Sequence, residues 1–267
     1  MRSFYRWVFE HSVLCRLLLL LALGAFSFYA ATFPYTDFLI IYLIDLAIWF
    51  LAGRFIASAP FKLLEEPNRQ LNENCDPYPM MEELQSMLDR NMVGPQNQLL
   101  EINYALCLRE TGDYHHAAEV LENLNIDKFP GTAPVSKYTY YHNLCDIQYL
   151  LGNDAEARIW ARKFRQIYQD IPMTKAKQTL TAIHDLMEAE IMYYEGNFEH
   201  ALRKVAWIKL ENKRMVVDGA MLAAKCHIAL EEPEKAREKL NYVTEHGNKL
   251  YIAEEAQQLL ADITAKS

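Results

Sequence analysis

The sequence predicts an all-α protein: an N-terminal two-helix transmembrane hairpin, then an α-solenoid of about four helix-turn-helix repeats with capping helices. Three observations predict it. Two apolar runs, 17–33 and 38–53, lie close together near the amino end. Beyond them, a helix-like stretch breaks four times at a short polar turn, and an alanine follows in register. Around those turns apolar residues recur at spacings of three and four, the stripe of an amphipathic helix.

The first run carries no charge, and a helix over 17–33 spans about 26 Å, the low end of a bilayer core. Including residues 13–15 and letting Arg16 snorkel lengthens it. The second run is interrupted only by Asp45. The spans fall at about 13–33 and 38–56, inside a hairpin domain of residues 1–62. The connection Pro34-Tyr35-Thr36-Asp37 is short, so the two helices are expected to be antiparallel neighbours. Tyr29, Phe33, Tyr35 and Trp49 are aromatics of the kind found at membrane interfaces. A cleaved signal peptide fits poorly, because Ser27-Phe28-Tyr29-Ala30-Ala31 lacks small residues at both cleavage positions and a second span follows at once. Arg2, Arg6 and Arg16 precede the first span, Arg54 and Lys62 follow the second, and the loop between has no base. The positive-inside rule then places both termini in the cytoplasm, with a prokaryotic inner membrane as the expected location.

Residues 63–75, with Glu65, Glu66, Pro67, Asn68, Asn72 and Asn74, read as a polar linker or a frayed helix. The repeat domain is expected over 76–267. Asp76-Pro77 starts a capping helix with Met80, Met81, Leu84, Met87 and Leu88 on one face. The four turn segments are Gly112-Asp113-Tyr114-His115-His116-Ala117, Gly152-Asn153-Asp154-Ala155-Glu156-Ala157, Gly196-Asn197-Phe198-Glu199-His200-Ala201 and Glu231-Glu232-Pro233-Glu234-Lys235-Ala236. Glycine suits a helix C-terminus because it tolerates positive φ, and the Asp or Asn after it can cap the next helix. In the fourth segment Pro233 punctuates instead, where a missing N–H costs little. Ala117, Ala157, Ala201 and Ala236 lie where the second helix must approach the first closely. Small residues also stand seven places before each turn: Ala105, Cys145, Ala189 and Ala224. A final amphipathic helix over 250–263 closes the array, whose open end would otherwise expose a core face.

This pair of small residues flanking a Gly-Asp/Asn-aromatic turn resembles the tetratricopeptide repeat (TPR), most closely at Ala105, Gly112, Asp113, Tyr114 and Ala117 and again at Ala189, Gly196, Asn197, Phe198 and Ala201. The alanine spacings are 40, 44 and 35, against a family period of about 34. Extra residues at 127–136 and 170–174 account for the first two, so the repeats are degenerate. The resemblance implies a protein-binding concave face on the first helices. Carried onto this sequence, that face contains Arg109, His142, Asp146, Tyr149, Glu190, Tyr193 and Lys225. Its mixture of aromatics and both charges suits an extended peptide or helix, and each residue is equally an ordinary helical surface position. The family's clamp for acidic C-terminal peptides is not expected, because Ile102, Leu106, Ile183 and Met187 occupy several of its positions.

The chain has a net charge of −8, yet residues 1–62 carry five bases against three acids, so the acidity belongs to the repeat domain. An acidic domain argues against sequence-independent nucleic-acid binding and favours proteins or their basic segments as partners. Five cysteines show no framework spacing; Cys107, Cys145 and Cys226 occupy helix positions that want small apolar side chains. His115-His116 and the pair His142 and Cys145 fall short of a metal-ligand set. No phosphate loop, His-Glu-x-x-His helix or nucleophile elbow occurs, so neither a cofactor nor an enzyme is expected. Asp45 is an ionisable group in an apolar span and is read as a polar contact holding helices or subunits together, with a functional role as the alternative. The resulting expectation is a membrane-anchored protein-protein interaction scaffold. The alternative is a membrane-complex subunit acting through Asp45 and its hairpin, homo-oligomeric contacts included, with the repeats regulatory.

Overall fold

The computed structural model describes residues 1–30, 32, 38–90, 95–124, 126–128 and 133–266. The expected turn at Pro34 to Asp37, with Phe33 and Tyr35, lies outside them, as does part of the insertion at 127–136. Among the described residues the chain is all-helical, with thirteen α-helices. It forms two compact units, Met1–Glu66 and Pro67–Ser267.

The first unit contains α1 (Arg2–Glu10), α2 (Ser12–Ala30) and most of α3 (Phe38–Asn74). The two candidate spans are long, apolar and uncovered: no residue of the eighteen-residue apolar window of α2 is buried, and 11% of that of α3. A helical hairpin in a globular core would hide most of that surface. Leu17, Leu21, Phe28, Leu39 and Leu51 instead present it. Phe4 and Tyr5 of α1 pack their rings on Phe55, 6.2 and 5.9 Å between centroids. Near the other end of α2, Ser27 Oγ donates to Asp45 Oδ2. The contact from α1, just before α2, falls at Phe55 and the one near the end of α2 falls at Asp45, so the two contacts run along α3 in reverse order.

The stretch read as a polar linker or a frayed helix is helical through Asn74. Pro67 and the asparagines lower local propensity, but Leu63, Leu64 and Leu71 are buried at 2, 6 and 1% exposure, and burial overrides propensity. Cys75, at φ 54°, ends the helix.

The second unit continues with α4 (Tyr78–Leu88), α5 (Pro95–Glu110), α6 (Tyr114–Glu122), α7 (Pro134–Leu150), α8 (Asp154–Asp170), α9 (Lys175–Tyr194), α10 (Phe198–Trp207), α11 (Lys213–Ala229), α12 (Pro233–His246) and α13 (Tyr251–Lys266). The pairs α5/α6, α7/α8, α9/α10 and α11/α12 pack together, with α4 on α5 and α13 on α12. The first helix of each pair also packs on the next first helix, α5 on α7, α7 on α9 and α9 on α11.

Each pair turns by the same backbone device. Asp113, Asn153, Asn197 and Glu232 donate their N–H groups to the carbonyls of Leu108, Gln148, Met192 and His227 at 2.8–2.9 Å, while the residue before each donates to a carbonyl three back. That is the double bond of a Schellman ending, and it requires a left-handed residue. Gly112, Gly152 and Gly196 supply it at φ 85, 77 and 80°, whereas Glu231 adopts φ 58° in the fourth turn. The eight small residues flanking the turns, Ala105, Cys145, Ala189 and Ala224 before and Ala117, Ala157, Ala201 and Ala236 after, are each 0% exposed, so the helices meet through them. Side-chain capping is less regular. Asp113 accepts from His116 N–H at 3.2 Å, whereas the Asn153 amide donates to Gln148 Oε1.

Candidate functional site

Because the first helices pack on one another, the residues they turn inward meet. Arg109 on α5 donates from Nε to Asp146 Oδ2 on α7 at 2.9 Å, and its Nη1 lies 3.1 Å from Glu110 and 3.8 Å from Asp218 on α11. Arg214, also on α11, reaches Glu110 at 2.8 Å, Asp218 at 3.2 Å and the Asn72 side chain at 3.4 Å. The Glu110 side chain is fully buried, and its second oxygen, Oε2, has no partner.

Two adjacent cavities open on this network. The larger, about 110 Å³, has apolar walls that include Leu106, Tyr138, Ile183, Met187 and Met215 and a polar floor of Arg109, Asp146, Glu190, Arg214 and Asp218, with His142 beside it. The smaller, about 50 Å³, shares Arg109, Asp146, Glu190 and Asp218 and adds Tyr114, Tyr193, Tyr194 and Lys225. Lys225 is taken up by Glu255 on α13 at 2.7 Å. Glu190 lines both cavities and, among the described residues, takes no hydrogen bond and no ion pair.

The charges explain the titration. Four carboxylates, Glu110, Asp146, Glu190 and Asp218, face two guanidinium groups. Burial, reinforced by Asp146, pushes the Glu190 carboxyl up to about 8. Burial and then Glu110 push Asp218 up to about 6. Burial holds the His142 imidazole below its usual range, so it is neutral at pH 7.

Of the seven residues expected on the concave face, six line these cavities: Arg109, His142, Asp146, Glu190, Tyr193 and Lys225. Tyr149 does not. It is 3% exposed and stacks on Tyr194, with centroids 4.4 Å apart and planes at 4°. Of the charges on that face, Arg109 and Asp146 pair with each other and Lys225 with Glu255, and the spaces between them are small. Sequence reasoning missed Arg214, Asp218 and Glu110; the available signal was the i,i+4 pair Arg214 and Asp218 beside the apolar stretch of α11. Asp45 makes an interhelical contact, through Ser27, and its Oδ1 is buried without a partner. A third cleft, about 750 Å³ and apolar, opens between α10, α11 and α12 against Leu202, Val205, Val216 and Tyr242. Trp207 at the end of α10 is 89% exposed. Among the described residues no three His, Cys, Asp or Glu side chains are grouped to hold a metal ion. Against known proteins, the chain matches no family model, no curated protein and no solved structure.

Proposed function

We propose that this chain is a membrane-anchored interaction protein, in which an N-terminal hairpin of α2 and α3 holds a TPR-like helical-repeat domain at the cytoplasmic membrane face. The binding role is carried by one observation: the first helix of every hairpin contributes to the larger cavity, with its apolar walls and charged floor. Pockets with a few convergent polar groups in an apolar lining are where ligands are bound with a fixed orientation. The anchor is supported by the uncovered apolar surface of α2 and α3. Tethering raises the local concentration of a partner at the bilayer without any new contact. The repeating Schellman turns and the eight fully buried small residues support the TPR-like solenoid reading.

The test places a photo-crosslinker at Ile183, on the pocket wall, in the full chain in native membranes, with Met173 as an exposed control position. The expected result is a polypeptide adduct specific to position 183 in a carbonate-resistant membrane fraction. Identical products from both positions, or release of the chain by carbonate, would overturn the reading.

A further inference from the structure

The pocket described above is chemically asymmetric. Its floor and the network behind it, Glu110 included, together hold two more carboxylates than guanidinium groups, and little of that surplus meets solvent: Glu110, Asp146 and Asp218 are 2, 7 and 8% exposed, and Glu190 is partly buried. Uncompensated charge in such a site is costly, and the two ways to remove it are a proton or a counter-cation. Glu190 is where the surplus is open to a ligand. Glu190 lines both cavities and, among the described residues, takes no hydrogen bond or ion pair, whereas the other three acids each meet an arginine.

The walls narrow the identity of the cation. No three-ligand group suited to a metal ion exists among the described residues. Leu106, Ile183, Met187 and Met215 instead offer an apolar passage to the acid, and Tyr138 and Tyr193 add aromatic rings. A strongly hydrated inorganic ion gains little from such walls, while an aliphatic stem gains by burying its methylenes against them. The cavity volume of about 110 Å³ suits one unbranched chain or several waters, not a folded segment.

We propose that Glu190 receives an organic cation, an ammonium or guanidinium head on an unbranched apolar stem, presented as a lysine or arginine side chain of the partner polypeptide. The proposal rests on the interaction-protein reading and gives that reading its chemistry. Asp146 and Asp218 keep their bonds to Arg109 and Arg214, which hold the floor rigid while Glu190 pairs with the incoming head.

Proton linkage follows. The groups sharing the cavities with Glu190 are Arg109 on α5, Tyr114 on α6, Tyr138, His142 and Asp146 on α7, Tyr193 and Tyr194 on its own helix, Arg214, Asp218 and Lys225 on α11, and Glu255 on α13, with Glu110 behind the two arginines. With its carboxyl pushed up to about 8, Glu190 is protonated in the empty pocket at neutral pH and must release that proton to pair with a cation. Affinity therefore rises with pH until about 8 and then levels; the ionised fraction increases roughly twentyfold between pH 6.5 and 8.5.

The experiment is calorimetric titration of the full chain in detergent with n-butylammonium, with n-butanol as the uncharged control, and with a capped pentapeptide carrying one central lysine among alanines. The expected results are binding of amine and peptide but not of butanol, a roughly twentyfold gain in affinity from pH 6.5 to 8.5, and at least a tenfold loss in Glu190→Gln. Glutamine has the shape of the protonated acid already present at pH 7, so this variant is expected to fold, and the pH series on the unaltered chain gives a second readout independent of it. Binding of butylammonium without the peptide would overturn the polypeptide source, and a flat pH profile or an unaffected Glu190→Gln would overturn the site. A partner crosslinked at position 183 together with no amine binding would leave the interaction reading standing and remove this assignment.

Discussion

Alanine at Gly112 separates two costs that coincide in most turns. Gly112, Gly152 and Gly196 share the same left-handed backbone, φ 85, 77 and 80°. A side chain in that conformation costs about 1–2 kcal/mol by collision with its own carbonyl. At Gly152 and Gly196 nothing else lies within 4 Å of an added Cβ. At Gly112 the Cβ would stand 2.6 Å from Cδ2 and Cγ of Tyr251 and 3.1 Å from Cδ1. That is the root of the ring rather than a flexible tip, and the ring is also held edge-to-face by Tyr114 at 5.9 Å. Forcing it aside adds about 1–3 kcal/mol of overpacking. Gly152→Ala and Gly196→Ala should therefore lose about 1–2 kcal/mol each and Gly112→Ala about 2–5. Urea unfolding of the full chain in detergent, compared at equal m-value, measures the difference. In a Tyr251→Ala background the Gly112→Ala cost should fall to that of the other two. Equal losses in all three single variants would refute the argument and remove the contact between the first hairpin turn and α13.

Two further perturbations test other parts of the chain. Arg214→Ala strips the fully buried Glu110 of its 2.8 Å partner and should destabilise the repeat domain by about 3–5 kcal/mol, with at least half recovered on adding Glu110→Gln; a loss below about 1 kcal/mol in urea unfolding would show that the network is not structural. Ser27→Ala removes the donor to Asp45 and should weaken the α2–α3 pairing by about 1 kcal/mol, as read by unfolding the hairpin in mixed micelles. Unchanged pairing would return Asp45 to the functional candidates.

What the sequence disclosed depended on how local the cause was. The turns were legible because a Schellman ending is written within six residues, and the small residues at 105 and 117 report a helix approach only twelve positions apart. The fourth turn, with Glu231 at φ 58°, was found through Pro233 and Ala236 rather than through its left-handed residue. The length of α3 was not legible. Pro67 and four polar amides argue for a break, and what sustains the helix is burial of Leu71, a tertiary event. Of the seven residues carried over by the resemblance, six line the cavities. Tyr149 and Tyr193 hold equivalent positions, three before their glycines, yet Tyr149 is captured by the face of Tyr194, which no single-helix register foretells. Arg214 and Glu110 are 104 residues apart, and a pairing at that separation leaves no trace in one sequence.

The size of the pocket decides how a partner can use it. A strand or helix lying along the first helices would have to displace the Arg109–Asp146 pair, which ties α5 to α7, and the Arg214–Glu110 pair, which ties α5 to α11. Separating a buried ion pair leaves charges without partners and costs several kcal/mol, more than a peptide backbone regains from exposed helix surface. Insertion of one side chain asks for none of this. On the proposed reading it fills space already present, meets the carboxylate that no cation pairs with, and offsets the burial and the neighbouring Asp146 charge that otherwise keep Glu190 protonated. On the same reading the network is the rigid frame of the pocket rather than its ligand-binding surface, and discrimination falls on head charge and stem length. On that reading a partner bearing glutamate in place of the lysine or arginine would meet an unpaired acid in an already acidic cavity, so the same residues that attract would also reject.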